Sequence, residues 1–437
     1  MSVLVFERKV SKGFYRSLAE KVCPRARIVS LSDFRNVASN WVGDYIYNSR
    51  YDRPNELCDR FSDEIIARCR FLRFLPRSKA ELLSRRVWNG IEELFDAEEF
   101  DAVFQGMVDN YTLDIVERIA NSRGVPVVSF CGHFFPGYFR ITTRGEFNEL
   151  RSDVSNDEVR SVKSAVIKPD YRPSFELMAE KSPSELRKIY YRRKFIEELY
   201  YPFMKLAERD GDNYHYNTLL LREGGRSRIS KSRYEGFFAE ASLRNIDLSE
   251  TVYLPLHMIP EATTDYWCRD VSQVRYEEAV LEFIRKSDRS VVILVKEHPS
   301  MDGWRDPSFY KKLMQFDNVV LLPPHLNSNG VVDMVDAVVV HTGSVGVEAL
   351  MRGKKAYCLT ENYYSSLHPN AIRVDRVTLE MLRSEPDRYS CDLFVSDLLK
   401  GLWKGRWYPG RGCREKSTFE ALVASAKSFL DRRQVEP

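Results

Sequence analysis

The chain has 437 residues, 43% of them hydrophobic and 30% charged, with a formal net charge of +3. That length is too great for one ordinary core and predicts two domains of about 200 residues each. The composition excludes a disordered chain, and the near balance of charge excludes a nucleic-acid field over the whole surface.

Val3–Phe6 reads as a short buried strand and Ser11–Val22 as a helix. Arg27–Leu31 and Ala102–Gly106 are further strands, the second followed by a helix from about Asn110 to Ser122. Val125–Phe130 reads as one more buried strand. Strands alternating with helices predict a parallel α/β sheet, and this half carries no GxGxxG dinucleotide fingerprint. Between Arg151 and Asn245 apolar runs shrink while charge and tyrosine rise. Ser182-Pro183-Ser184-Glu185 reads as the start of a helix, with Pro in its first turn. That helix carries Arg187, Lys188, Arg192, Arg193 and Lys194 among tyrosines. It is either a solvated face or a contact for an anionic lipid-linked acceptor or the inner-membrane surface. Trp403–Arg414 poses the same choice.

From Thr251 the regular pattern returns. Val252–Leu256, Val291–Val295, Asn318–Leu322, Ala337–Val340 and Ala356–Leu359 read as five strands, the last of them the final clear one. Val274–Ser287, Phe309–Gln315, Val331–Val335 and Val345–Arg352 read as the helices between or beside them, with Gly353 closing the last. This is a second doubly wound domain. Thr418–Leu430 is a terminal amphipathic helix. The eight cysteines form no CxxC pair and keep no zinc-like company with histidine, so they read as reduced and structural. MSVLVFERKV lacks a signal-peptide pattern, and no apolar run approaches the ~20 residues of a membrane span. The expected location is the cytoplasm, with peripheral contact at the inner face of the membrane.

Ligands of doubly wound sheets collect beyond the carboxyl ends of strands, and three segments stand out there. Lys296-Glu297-His298-Pro299 follows a buried strand. Its His298 either caps the strand end or donates to a phosphate oxygen, neutralising charge when protonated. His341-Thr342-Gly343-Ser344-Val345-Gly346-Val347-Glu348 leads from strand to helix. Small residues and hydroxyls at a helix start suit a phosphate, with Thr342, Gly343 and Ser344 as donors and Glu348 one turn in, toward ribose. The bland alternative is an N-capped helix with Gly346 for close packing. The third segment, Leu254–Thr263, brings His257 and Glu261 to the expected cleft. Glu261 is a base or nucleophile there, or a solvated loop residue. Asn327-Ser328-Asn329 either caps the following helix or touches base or ribose through Ser328.

Four stretches in register carry a resemblance: LPLHMIPEATT, VVILVKEHPSMDGWR, NVVLLPP with NS after it, and VVVHTGSVGVEALMRGKKAYCL. Together they resemble the capsule polysaccharide synthesis family, which contains β-Kdo transferases. The likeness spans about Val252 to Leu359. It implies an α/β GT-B fold of two Rossmann-like domains facing a cleft. Residues 1–248 would be the acceptor-side domain, with a helical insertion at about 151–245. Residues 249–415 would bind the nucleotide-sugar, and 416–437 would be a helix crossing back to the first domain. The resemblance further implies a CMP-activated donor such as an ulosonic acid (Kdo), a glycan or lipid-linked acceptor, and no metal or other cofactor. By this likeness Lys296, His298, Ser328 and Thr342–Ser344 surround the donor, Glu348 lies near the ribose, and Glu261, His257 and His298 form the catalytic group. The chain has His257 to Glu261 where the β-Kdo branch has a glutamine and paired aspartates. It also lacks that branch's acidic motif near VVSFCGHFFPG, leaving His133 and Arg140–Arg144 to shape the acceptor side. Two alternatives stand beside this reading: a polyol-phosphate transferase of the teichoic-acid type, and a non-catalytic glycan-binding protein.

Overall fold

The computed structural model describes residues 1–9, 11, 13–151, 153–168, 171, 188, 191–192, 195–217, 250–301, 305–324, 326–407 and 415–433. The predicted helix start at Ser182–Glu185, most of the basic run after it and residues 408–414 lie outside these.

The first sheet is parallel. It contains β1 (Ser2–Glu7), β2 (Arg27–Ser32), β3 (Asn40–Trp41), β4 (Ala102–Phe104) and β5 (Val127–Val128) in the order β3-β2-β1-β4-β5. Its strands are nearly continuous apolar runs because both faces are covered. Val3, Val5, Phe104 and Val128 enter one core, while Leu4, Phe6, Leu31 and Val103 enter the opposite one. The second core is closed by the helices Glu56–Arg68 and Arg77–Ala97, which the pattern reading of the chain passes over. Asn55 caps the first of these by accepting from the amide of Cys58.

The run Val125–Phe130 is not one strand. After Val128 the chain changes ladder partner and leaves the first sheet. Phe130–Gly132 (β6) pairs antiparallel with Tyr138–Ile141 (β7), which pairs with Trp403–Lys404 (β14) from near the chain's end. A continuous apolar run cannot announce such an exit, since both partners bury it equally.

The second sheet joins β8 (Thr251–Pro255), β9 (Val292–Lys296), β10 (Val319–Leu322), β11 (Ala337–Val340), β12 (Lys355–Cys358) and β13 (Ala371–Arg373). Its order is β10-β9-β8-β11-β12-β13, and every pairing is parallel. Six strands replace the predicted five, because β13 is a short, half-exposed edge strand without an apolar run. Alternation again divides the side chains. Val252, Leu254, Ile293 and Val339 face one core, and Tyr253, Leu294, Val338 and Val340 the other. The helix predicted at Val331–Val335 starts earlier, at Ser328, because the Asn327 side chain accepts from the amide of Asn329.

The last helix, Lys416–Arg433, lays Leu422, Ala426, Phe429 and Leu430 into the same core as Phe14 and Leu18 of the first lobe. The molecule is thus two Rossmann-like lobes facing a cleft, the GT-B arrangement. Each lobe has a topological switch point, between β1 and β4 in the first and between β8 and β11 in the second. Among the described residues no helix is long and apolar enough to cross a membrane.

Candidate functional site

The switch point of the second sheet is flanked by the loops after β8 and β11, and these loops touch. His257 lies two residues beyond β8. Its backbone N–H donates to the Tyr276 hydroxyl at 3.0 Å, and its carbonyl accepts from Arg305 Nη2. The backbone of His257 is therefore pinned from both sides. The ring Nε2 accepts the backbone N–H of Thr342 at 3.3 Å, just after β11. The Thr342 hydroxyl donates to the carbonyl of Thr263 at 3.0 Å. Both donors of Thr342, expected to face a phosphate, are thus spent on tying the two loops together.

What the bend retains is Gly343 and Ser344. Among the described residues no acceptor meets their amides, and the Ser344 side chain forms no capping hydrogen bond. A Cβ at Gly343 would stand 3.2 Å from His257 Nε2, so any other residue would press the ring back by a few tenths of an ångström. Gly346 has the packing role alone: the ring of Tyr364 occupies the space a side chain there would need. Tyr364 also donates to the carbonyl of Gly343 at 2.9 Å, fixing the shape of the bend. Glu348 is buried on the helix Val345–Met351, close enough to Tyr363 and Tyr364 to act on both phenols.

His298 enters from the end of β9. Its amide donates to Glu297 Oε1 at 2.6 Å, and its ring is near enough to act electrostatically on His257. Lys296, the last residue of β9, is buried. The Ser328 hydroxyl accepts from Tyr253 of β8 at 3.3 Å, so it sits beside the same strand ends. His341 stands 5.8 Å from His257, ring to ring, and its Nε2 lies 3.2 Å from the carbonyl of Gln273.

Burial dominates the electrostatics. Desolvation pulls His298 and His341 down to about 4. His257 is held well below its ordinary value by burial first, then by His341, His298 and Arg305. Burial thus favours the neutral form of these imidazoles at pH 7. Burial pushes the Glu261 carboxyl above its usual range, against the hydrogen bond that Thr263 Oγ1 donates to it at 2.6 Å.

Two supports of the site carry no local sequence signal. Glu297 is a buried hub. It accepts from Arg305 Nε at 2.5 Å, from the Tyr310 hydroxyl and from the His298 amide, so one carboxylate orients both histidine loops. Arg305 completes the network through Glu277 at 2.8 Å. The short helix Ala262–Asp265, which Glu261 precedes, is held from the first lobe. Arg68 donates to the carbonyls of Asp265 and Cys268, and Arg70 pairs with Asp265 and donates to Thr264 Oγ1. Glu261 thus lies where the lobes meet. Only the arginine-rich segment after Arg68 hints at this, and a surface helix would look the same.

Among the described residues no three His, Cys, Asp or Glu side chains are grouped to hold a metal ion. In Asp210-Gly211-Asp212 the first carboxylate accepts from Tyr47 and Asn213, and the second pairs with Lys79 at 2.6 Å.

Among curated proteins no sequence matches the chain significantly. Among solved structures, Thermosulfurimonas dismutans KpsC, β-Kdo 2,7 transferase, aligns over 97% of this chain and 99% of its own, with 12% identity and a TM-score of 0.38. The β-Kdo 2,4 transferase of the same KpsC aligns over 91% and 90%, with 13% identity and a TM-score of 0.36. The Neisseria meningitidis UDP-GlcNAc 2-epimerase aligns over 100% of both chains, with 10% identity and a TM-score of 0.26. These similarities are too low to add to the strand order described above. A family model described as capsule polysaccharide biosynthesis protein matches residues 238–367, the stretch that contains His257, Glu261, His298 and the bend at Gly343.

Proposed function

We propose that this protein is a glycosyltransferase that moves a sugar from a nucleotide-activated donor, CMP-linked, to a glycan or lipid-linked acceptor of capsule or other surface polysaccharide. The observation that carries this reading is the contact between His257 and Thr342 across the second sheet's switch point. It leaves the amides of Gly343 and Ser344 and the Ser344 hydroxyl as donors beside a neutral His298. Such a set offers hydrogen bonds and the positive end of a helix start to a phosphate. In this reading Lys296 adds charge beneath the phosphate, Ser328 and Glu348 serve the nucleoside, and Glu261 acts at the anomeric carbon. A carboxyl raised by burial is suited to proton transfer near neutral pH. The reading needs no metal, because backbone and side-chain donors meet the developing charge on the leaving phosphate.

The test is a thermal-shift series with CMP, UMP, UDP, GDP and CDP, followed by activity assays in excess EDTA. CMP at a hundred times its dissociation constant adds about 2.7 kcal/mol to stability. Absence of a shift with every nucleotide defeats the proposal. With a CMP-sugar, release of CMP and formation of a glycoside support it; a phosphodiester product from CDP-glycerol would favour polyol-phosphate transfer instead.

A further inference from the structure

A second polar cluster lies at the seam between the lobes, around Tyr363. Strand pairing sets Arg140 of β7 opposite Cys131 of β6. The Arg140 side chain is enclosed, with 5% of the residue exposed. Its guanidinium carbon lies 4.1 Å from the centre of the Tyr363 ring and 4.5 Å from that of Trp267, both in the second half of the chain. Cation–π contacts hold the plane, yet they leave the N–H groups at its edge unanswered. Among the described residues Arg140 forms no ion pair. Nη1 makes a 3.4 Å contact to the carbonyl of Gly145, the guanidinium also bonds the Cys131 thiol across the ladder, and Nε has no acceptor among the described residues.

Two more donors share this condition. His133 is buried, with its ring 5.7 Å from that of Tyr363. Its Nδ1 accepts the amide of Phe135 at 3.0 Å, so the neutral ring carries its hydrogen on Nε2, and Nε2 has no partner. The Trp267 indole packs on Gly145, and its Nε1–H is also unpartnered. Buried donors are almost always satisfied, so three unanswered N–H groups around one tyrosine, one of them on a cation, are an exception that calls for an acceptor. Tyr363 is the neighbour of Tyr364, which holds the Gly343 carbonyl, and Cys131 lies within electrostatic reach of both Arg140 and Glu261. The cluster therefore lies within electrostatic reach of Glu261 and one residue along the chain from the tyrosine that shapes the bend.

We infer that Arg140, His133 and Trp267 form an oxyanion subsite, which takes a carboxylate or phosphate group of the substrate beyond the nucleotide phosphate, with Arg140 as its specificity-determining residue. The inference rests on the second lobe being the nucleotide site.

Calorimetric titration of the full chain tests it with three probes: CMP, CMP-N-acetylneuraminate, and glucuronate added to CMP-saturated protein with glucose as the neutral control. If the anion belongs to the donor, CMP-N-acetylneuraminate binds more tightly than CMP. If it belongs to the acceptor, glucuronate binds and glucose does not. In either case Arg140→Gln weakens that acidic probe by about tenfold to a hundredfold, the range for a charged hydrogen bond, and leaves CMP unchanged within about twofold. His133→Phe and Trp267→Phe keep the ring packing and weaken the same probe by smaller factors, which preserves the test if Arg140→Gln does not fold. Equal binding of acidic and neutral probes overturns the subsite, as does a loss in Arg140→Gln that is the same for CMP as for the acid. If CMP fails to bind while glucuronate still binds in an Arg140-dependent way, the nucleotide reading fails and the oxyanion subsite stands.

Discussion

The two lobes share one topology and treat its switch point in opposite ways. Between β1 and β4 of the first sheet the charges are matched within the protein. Arg8 pairs with Asp109, Asp33 meets His215 at 3.0 Å and accepts from Asn110, and Lys9 stands over the ring of Phe34. Burial works against the Asp33 carboxylate, but the His215 hydrogen bond and the charges around it hold it below its usual range. At the second switch point the bend keeps two amides and the Ser344 hydroxyl without partners among the described residues, beside imidazoles held neutral by burial, and the paired charges sit one layer back, on Glu297 and Arg305. Topology makes a crevice in each lobe. Whether the crevice can take an anion depends on which donors the protein has left unspent.

Breaking this contrast should be most costly at the cleft carboxyl. Glu261→Gln is expected to lower kcat by about 10²–10⁴, the usual contribution of a positioned acid or base, with CMP affinity nearly unchanged by calorimetry. A parallel loss of CMP affinity would mean that Glu261 serves the nucleotide instead. The supporting layers differ next. Glu297→Ala leaves Arg305 buried without its main partner and should cost about 3–5 kcal/mol in denaturant melts. Asp109→Ala removes the forked partner of Arg8, which is 14% exposed and keeps Asp33 nearby, and should cost less, about 1–3 kcal/mol. Equal costs would erase the contrast. Gly346→Ala forces a methyl into the Tyr364 ring and should destabilise by about 1–3 kcal/mol.

A pH titration sharpens the comparison further. His298 and His341 are depressed to about 4 in the fold, so the unfolded chain binds more protons between that value and about 6.5. Their contribution is therefore complete above about pH 6.5 and is lost as pH falls toward 4. Melting temperatures of the double variant His298→Gln/His341→Gln should show a shallower fall across that window than the parent protein. The smallest effect is reserved for Ser344→Ala, which should weaken CMP by roughly tenfold, the low end for one hydrogen bond to a charged group, without moving the melting temperature.

Much of the frame was legible along the chain. The apolar runs at Val3–Phe6, Val252–Leu256 and Ala337–Val340 mark strands because a parallel sheet buries both of its faces. His257, His298 and the Gly343 bend stood out because polar residues directly beyond such strands are costly unless something uses or pairs them. The exit at Ser129 was not legible, since β6 is as apolar as the strand it leaves. The motif around His298 gives no sign of the role of Glu297: a carboxylate beside a strand end looks the same whether it faces solvent or orients two loops through Arg305 and Tyr310.

By itself the sequence determined two α/β lobes, the strand ends where chemistry collects and the residue types waiting there, because periodicity and burial are local properties of the chain. Only the tertiary structure decided that Thr342 is spent on His257 and Thr263, that Arg68 and Arg70 of one lobe hold the Glu261 loop of the other, and that Arg140 is enclosed without a counter-ion among the described residues. Each of these depends on which distant side chain meets a donor or acceptor, and the pairing of polar groups across a fold leaves no periodic trace in the chain.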